Sequence, residues 1–141
     1  MELARTKNGI PVDLNYARKV VEHNRKEVSN GRGGTKVSFF GGLTTSKLRN
    51  LLELVNHIYT KAYNDPSKEL SEDIRDELEY LKIKFAYEAG REPAVREFIE
   101  KTKVSILLDI VLKKNTKKFF LDYCKYFEAL VAYAKFYKME D

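Results

Sequence analysis

LEYLKIKFAYEAGREPAVREF, residues 78–98, decides how the rest of the chain is interpreted, because two helical patterns and a helix boundary meet in it. One apolar row recurs at steps of four, three and four residues, which places it on one face of an α-helix: Ile74, Leu78, Leu81 and Phe85. A second apolar row lies on another face: Tyr80, Ile83 and Tyr87. A helix with two apolar faces is typical of one that has neighbours on both sides, so the pattern predicts a central helix.

The end of this stretch predicts a sharp corner. Gly90 is a candidate helix end, since glycine adopts the left-handed conformation beyond a helix without steric cost. Pro93 suits the first position of a new helix, because its φ is fixed and its missing N–H has no partner there anyway. We therefore expect one helix to end and another to begin within about four residues, at a corner that carries Arg91.

Composition and length favour a single helical domain spanning 1–141. Hydrophobic residues make up 43% of the 141 residues and charged residues 33%, as in a folded globular protein. Seven Gly and three Pro leave long uninterrupted runs, which favours helices. Without sustained strand alternation anywhere, the sequence predicts an all-α fold, a compact bundle of five or six helices.

Cap residues predict where the other helices begin. Residues 1–10 are expected to form a polar tail, and Asp13 to start a first helix that runs to about Lys26. Thr44 or Thr45 caps a second helix, and Ser71 the central one. After Pro93 we expect one bent helix or two short ones up to about residue 113, because residues 104–106 include two β-branched side chains. Asn115 or Thr116 then caps the last helix, which is largely buried.

The sequence SNGRGGTKVSFFGG, residues 29–42, contains most of the glycine in the chain. It predicts a flexible loop over 28–43 that is anchored by Val37, Phe39 and Phe40. A phosphate loop is disfavoured, because the G-x-x-x-x-G-K-[ST] order is absent and no strand is expected before it. A basic, Gly-rich loop that closes over a nucleic-acid backbone is the weaker alternative.

Charge and cysteine content indicate the class of partner and the compartment. The net charge is +5 with a pI near 9.2, which suggests a polyanionic partner, nucleic acid first and an acidic membrane surface second. A mildly basic, Lys-rich protein without such a partner is the alternative. The single cysteine cannot form an internal disulfide, and no membrane span or signal-peptide core is present, so we expect a cytoplasmic protein without a membrane partner.

Residues suited to catalysis are few. His23, His57 and Cys124 do not form a zinc site of known spacing, and no Ser–His–acid arrangement is apparent. Cys124 lies among aromatic residues, so a core thiol is favoured over a nucleophile. We predict a non-enzyme without metal or cofactor. Most aromatic residues are expected in the core, although one or two exposed rings, such as Tyr87 or Tyr126, could stack on bases.

Three segments resemble a known family: GLTTSKLRNLLELVNHIY (42–59), LEYLKIKFAYEAGREPAVREFIEKT (78–102) and KKFFLDYCKYFEALVAYAKFYKMED (117–141). Together they are similar to the small helical subunit of type III-A CRISPR–Cas interference complexes, the Csm small subunit. The resemblance implies a helical bundle without an active site, which stacks in several copies beside the backbone subunits. It also implies that these copies line the channel of the guide RNA (CRISPR RNA)–target RNA duplex, bear mainly on target RNA, and contact the backbone and large subunits.

The same resemblance implies that the RNA-binding residues are basic side chains in these segments: Lys47, Arg49, Lys82, Lys84, Arg91, Arg96, Lys125 and Lys135. Arg91 lies beside the free N–H groups of the helix that starts at Pro93, which suits a phosphate, although pairing with Glu88 or Glu92 would also explain it. The alternative function is a purely structural helical adaptor that binds protein subunits without RNA contact. A DNA regulator is a third, but no recognition-helix signature supports it.

Overall fold

The computed structural model describes all 141 residues, Met1–Asp141, as six α-helices and two small antiparallel sheets. The helices are α1 Leu14–His23, α2 Thr45–Asn64, α3 Glu72–Arg91, α4 Pro93–Thr102, α5 Val104–Lys114 and α6 Lys117–Phe136. The strands are β1 Ala4–Arg5, β2 Pro11–Val12, β3 Arg25–Ser29 and β4 Thr35–Phe39. The predicted bundle of five or six helices is confirmed, and the strands were not expected.

Helix α6 lies at the centre of the bundle, where it packs against α1, α2 and α5. Its buried residues occupy more than one face: Phe120, Tyr123, Cys124, Tyr126, Phe127, Leu130 and Ala134. The Phe127 ring meets Phe98 of α4 at 6.0 Å and Phe85 of α3 at 6.2 Å between centroids. A helix that is apolar around most of its circumference must be enclosed, so α6 rather than α3 organises the core.

Helix α3 is a surface helix with one buried face. Its first apolar row is buried as predicted, from Ile74 to Phe85. The second row is exposed, with Tyr80, Ile83 and Tyr87 accessible to 57%, 62% and 63%. The expectation of neighbours on both sides is therefore wrong within this chain.

The corner after α3 is made by proline and not by glycine. Helix α3 continues through Gly90 to Arg91, and Gly90 does not have a positive φ. Glu92 leaves the helix with φ −132° and ψ 112°, and Pro93 is the first residue of α4. The residue before a proline is pushed into the extended region, so Pro93 both ends one helix and starts the next. The predicted start at Pro93 is confirmed, and the predicted cap at Gly90 is wrong.

The other helix starts follow the predicted caps. The side chains of Asp13, Thr44, Ser71 and Thr116 each accept a hydrogen bond from the backbone N–H three residues later, at 2.9 to 3.3 Å. These bonds satisfy N–H groups that have no partner inside the helix. Helix α1 ends at His23, a few residues earlier than expected.

The junction between α4 and α5 resolves the choice between one bent helix and two short ones in favour of two. Lys103 separates them in the left-handed conformation, at φ 67°. Two buried hydroxyls of α6 donate to carbonyl oxygens on either side of it: Tyr126 to Thr102 at 2.7 Å and Tyr123 to Val104 at 2.8 Å. Helix α6 thereby fixes the break between α4 and α5.

The Gly-rich region forms a β-hairpin in place of the loop that was expected over 28–43. Strands β3 and β4 pair from Arg25 opposite Phe39 to Ser29 opposite Thr35. Both strands are mostly exposed, so their sequences lack the alternation of apolar and polar residues that predicts a half-buried strand. The aromatic anchor is confirmed at Phe39 and Phe40, each 1% exposed.

The polar tail expected at residues 1–10 is also wrong. Strands β1 and β2 pair there, and the Leu3 N–H donates to the Val12 carbonyl at 2.8 Å. Leu3 joins the core with 4% exposure. Strand pairing and the buried Leu3 together hold this segment against the core.

Candidate nucleic-acid interface

Helix α2 distributes the predicted basic residues over two sides. Lys47 and Arg49 are two positions apart in its first two turns, and residues at that spacing face different directions on a helix. Lys47 faces α3, where its ammonium pairs with the Glu92 carboxylate. Arg49 faces α6 and lines a cavity with Lys135. The structure therefore separates the predicted RNA-binding residues into groups.

The first group lies along the groove between α2 and α3. Lys47 and Arg91 line one end of this groove together with Asn50 and Leu54. Arg91 is 57% exposed at its side chain and lies 3.7 Å from the Glu88 carboxylate, a long contact that leaves most of the guanidinium accessible. Pairing with Glu88 was the alternative reading of Arg91, and the structure contains that pair in a weak form.

The same groove continues along an exposed face of α3 where rings and cations alternate. We call this the tyrosine face and define it by Tyr80, Ile83, Lys84, Tyr87 and Arg91. The Lys84 ammonium lies 4.8 Å from the Tyr80 ring centroid, and the Arg91 guanidinium carbon lies 5.5 Å from that of Tyr87. Cations at these distances interact with the ring face, which holds them next to the aromatic surface.

The second group surrounds the first turn of α2, where a carboxylate of the same chain is held by hydrogen bonds. The Asp141 carboxylate accepts hydrogen bonds from the Ser46 N–H at 2.7 Å and the Ser46 hydroxyl at 2.8 Å. These bonds, with the nearby charges of Arg49 and Lys135, lower the pKa of Asp141. The first turn of α2 has no acidic residue of its own, and the Asp141 side chain supplies the negative charge that a helix N-terminus favours.

The remaining predicted residues are dispersed. Lys82 turns toward α5 and pairs with Asp109 at 2.6 Å, a hydrogen bond that raises the pKa of Lys82. Arg96 pairs with Glu100 at 3.3 Å within α4. Lys125 lines a groove between α2 and α6 beside Asn56. The structure thus brings together Lys47, Lys84 and Arg91, and separately Arg49 and Lys135.

The single cysteine of the chain is a buried thiol. Cys124 is 5% exposed, and burial raises the pKa of its thiol, which disfavours the thiolate. No group of three or more His, Cys, Asp and Glu side chains is placed to hold a metal ion. None of the six helices is long and apolar enough to cross a membrane.

Two features of the site were missed or misassigned from sequence. Tyr126 was a candidate exposed ring but is fully buried, whereas Tyr87 is exposed as proposed. Tyr80 was assigned to a buried face of α3 but is exposed. The sequence did contain a signal of this exposure, because Lys84 and Arg91 alternate with Tyr80 and Tyr87 on the same face of the helix. The contact between Ser46 and Asp141 spans 95 residues, and no local pattern indicates it.

Comparison with known proteins identifies a family. A family model described as Csm2 Type III-A matches residues 27–140. A protein of Enterococcus italicus named CRISPR system Cms protein Csm2 is 72% identical over 141 residues, the full length of both chains. Proteins of the same name from Streptococcus thermophilus and Mycobacterium tuberculosis are 40% and 32% identical over 99 residues, which is 70% of this chain and 76% and 78% of theirs.

Proposed function

This chain belongs to the Csm2 Type III-A family, and from that membership we propose that it is the small, non-catalytic subunit of a type III-A CRISPR interference complex. Several copies stack along the guide RNA–target RNA duplex, beside the backbone and large subunits. Each copy clamps target RNA by its phosphate backbone. The chain acts as a scaffold and clamp, while cleavage belongs to other subunits.

The observation that carries the clamp is the grouping of Lys47, Lys84 and Arg91 along the groove between α2 and α3. Their side chains are exposed or half-exposed and line neighbouring parts of the same groove, Lys47 from α2 and Lys84 and Arg91 from α3. Lysine and arginine contacts to phosphates fix the position of a nucleic acid and carry no sequence information. A row of such contacts suits a subunit that must hold any target.

Around the first turn of α2, the contact of Asp141 supports a second phosphate position. Its carboxylate is an oxyanion held by the Ser46 N–H and hydroxyl near Arg49 and Lys135. A phosphodiester of RNA likewise carries one negative charge shared over two acceptor oxygens, so it can take the place of this carboxylate.

Stacking requires two different surfaces on each copy, because head-to-tail contacts propagate while a two-fold contact closes. We expect the free protein to be monomeric or weakly self-associating, with several copies in contact in the assembled particle. Light scattering of the free chain and the subunit stoichiometry of the particle measure this. A particle with one copy, or with copies that never touch, would contradict stacking.

The clamp is tested by Arg49→Ala with Arg91→Ala in the assembled complex. Retention of target RNA should weaken about equally for all sequences, and the log–log salt dependence should flatten by up to about one unit per lost phosphate contact. Repeated copies mask part of the defect through avidity, so the slope is more informative than the affinity. Lys19→Ala with Lys113→Ala removes the same charge elsewhere and serves as the matched control.

Two results would count against the proposal. Unchanged retention and salt slope in the double variant, in an intact particle, would favour the structural adaptor that binds only protein. RNA cleavage by the purified chain that disappears in a point variant, with or without divalent metal, would make the chain an enzyme.

A further inference from the structure

The tyrosine face is an aromatic surface that no other helix or strand of the chain covers; within it, Lys84 and Arg91 lie over one side of the Tyr80 and Tyr87 rings. Tyr80, Ile83 and Tyr87 are more than half exposed, on a helix whose opposite face is fully buried. The hydroxyls of Tyr80 and Tyr87 make no hydrogen bond within the chain, unlike those of Tyr123 and Tyr126. Large apolar groups that stay together at a surface mark an interaction site.

Rings and cations alternate along this face at positions suited to a nucleotide strand. Tyr80, Lys84, Tyr87 and Arg91 follow at steps of four, three and four residues, which keeps them on one side of α3. The chemistry of a nucleotide is also alternating, with a flat base beside a charged phosphate. Proteins that hold single strands combine aromatic side chains, on which bases stack, with cations that follow the backbone.

Gly90 supplies an independent observation at the same place. It lies three residues after Tyr87, within α3, and a Cβ added there would have no neighbour within 4 Å. Glycine weakens a helix, and neither a turn nor packing inside this chain requires it here. A ligand that approaches the backbone beside Tyr87 would explain its presence.

We propose that Tyr80 and Tyr87 form a stacking platform for unpaired bases of RNA, with Lys84 and Arg91 contacting the flanking phosphates. This inference rests on the proposed clamp and adds base contact to it. Seven residues of helix separate the rings by about 10 Å, which is about three base steps of a stacked strand, so the rings take two different bases. Bases inside a duplex are covered by their neighbours, and the ligand is therefore unpaired.

Protein docking is the competing use of such a surface, and charge decides against it. Lys84 lies between the two rings, at the middle of the face, and the centres of protein interfaces are depleted of lysine. A strand of RNA, in contrast, needs a cation at that position. The favoured occupant is thus RNA, with a protein partner as one outcome of the test.

The absence of tryptophan from the sequence gives a direct assay. Tyr87→Trp places a single tryptophan on the platform of the full-length chain. A stacked base should quench its fluorescence when a 12-nucleotide single-stranded RNA is added, and an abasic strand of equal charge should quench it much less. Tyr87 is exposed and the change leaves the buried core as it is, so the circular dichroism should stay that of the wild type.

Affinity and salt dependence separate stacking from phosphate contact. Tyr87→Leu, which keeps the apolar bulk, should weaken binding of the 12-mer by about 5- to 150-fold, the range typical of one aromatic–base stack, without changing the salt slope. Tyr87→Phe should bind like the wild type. Arg91→Gln should flatten the salt slope. Tyr63→Leu, which changes another exposed tyrosine on α2, is the control.

Equal quenching by intact and abasic strands, or unchanged affinity in Tyr87→Leu, would overturn the platform and leave the clamp standing. Quenching that appears only when other subunits are added without RNA would identify the face as a protein docking surface and also overturn it. Failure of the clamp alone is recognised differently: Lys47→Ala with Arg49→Ala, which leaves both platform cations in place, would then leave the salt slope of the assembled complex unchanged.

Discussion

Tyr126→Phe tests the break between α4 and α5, because it removes one hydroxyl and keeps the ring. That hydroxyl donates to the Thr102 carbonyl at 2.7 Å, and both residues are fully buried. The carbonyls in the last turn of a helix have no partner inside it, so the side chain supplies one. After the substitution the carbonyl faces a ring edge in a region without access to water.

The expected loss of unfolding free energy follows from these contacts. A hydrogen bond contributes about 1 kcal/mol net, and leaving its buried acceptor unsatisfied raises the cost to about 1–3 kcal/mol. For a chain of this size, each kcal/mol corresponds to roughly 3 °C in Tm. We therefore expect Tyr126→Phe to lower Tm by about 3 to 9 °C.

Urea unfolding followed by circular dichroism measures this loss. Tyr63→Phe is the matched control, since the Tyr63 hydroxyl is at the surface and makes no hydrogen bond within the chain. The control should stay within about 0.5 kcal/mol of the wild type. A loss below that value for Tyr126→Phe, at an unchanged m value, would refute the reasoning and mean that the α4 end is satisfied in another way.

Three further predictions concern the same framework. Gly90→Ala should raise the unfolding free energy in urea by about 0.5–1 kcal/mol, because alanine is the better helix former and a Cβ there meets nothing; a destabilised variant would contradict this. Lys103→Gly should also stabilise, by up to about 1 kcal/mol in the same assay, since Lys103 is left-handed at φ 67°; no gain would mean that its side chain offsets the strain. Burial raises the pKa of Tyr123 and Tyr126, so above pH 10 the unfolded chain loses protons that the folded chain keeps. The free energy of unfolding should then fall by about 1.4 kcal/mol per pH unit for each tyrosine. Because Tyr126→Phe removes one of the two titrating hydroxyls, its free energy of unfolding, measured with urea at pH 10 and 11, should fall about half as steeply.

Local chemistry made the helix starts predictable. A cap side chain acts within three residues of itself, as Ser71 does on Ile74, so its effect is contained in a short stretch of sequence. The apolar row from Ile74 to Phe85 was predictable for the same reason, because helical spacing relates residues of one turn to those of the next.

The errors arose where the answer depends on distant parts of the chain. Periodicity shows that Tyr80 and Tyr87 share a face, but not whether another helix covers it. The hairpin over residues 25–39 carries little buried surface, so it has no alternation to detect. The end of α3 was misplaced because two helix-ending residues, Gly90 and Pro93, lie three positions apart. Proline cannot continue a helix, whereas glycine only weakens one, so the proline determines the boundary.

The candidate site was predictable by residue type and less so by arrangement. Basic residues in the segments 42–59 and 78–102 were identified, yet their grouping depends on how α2 lies against α3. Lys82 is taken by Asp109 of α5, which is 27 positions away. Such pairings are set by the tertiary structure, and a single sequence contains no signal for them.

The buried thiol of Cys124 allows opening motions of the core to be measured without an added label. Only an ionised, accessible sulfur attacks a thiol reagent, because the thiolate is the nucleophile, and burial keeps Cys124 in α6 protonated and inaccessible while the core is closed. The rate at which such a reagent modifies Cys124 would therefore follow how often the central helix becomes exposed. Modification measured with and without RNA would show whether a ligand at the distant surface of α3 slows that event.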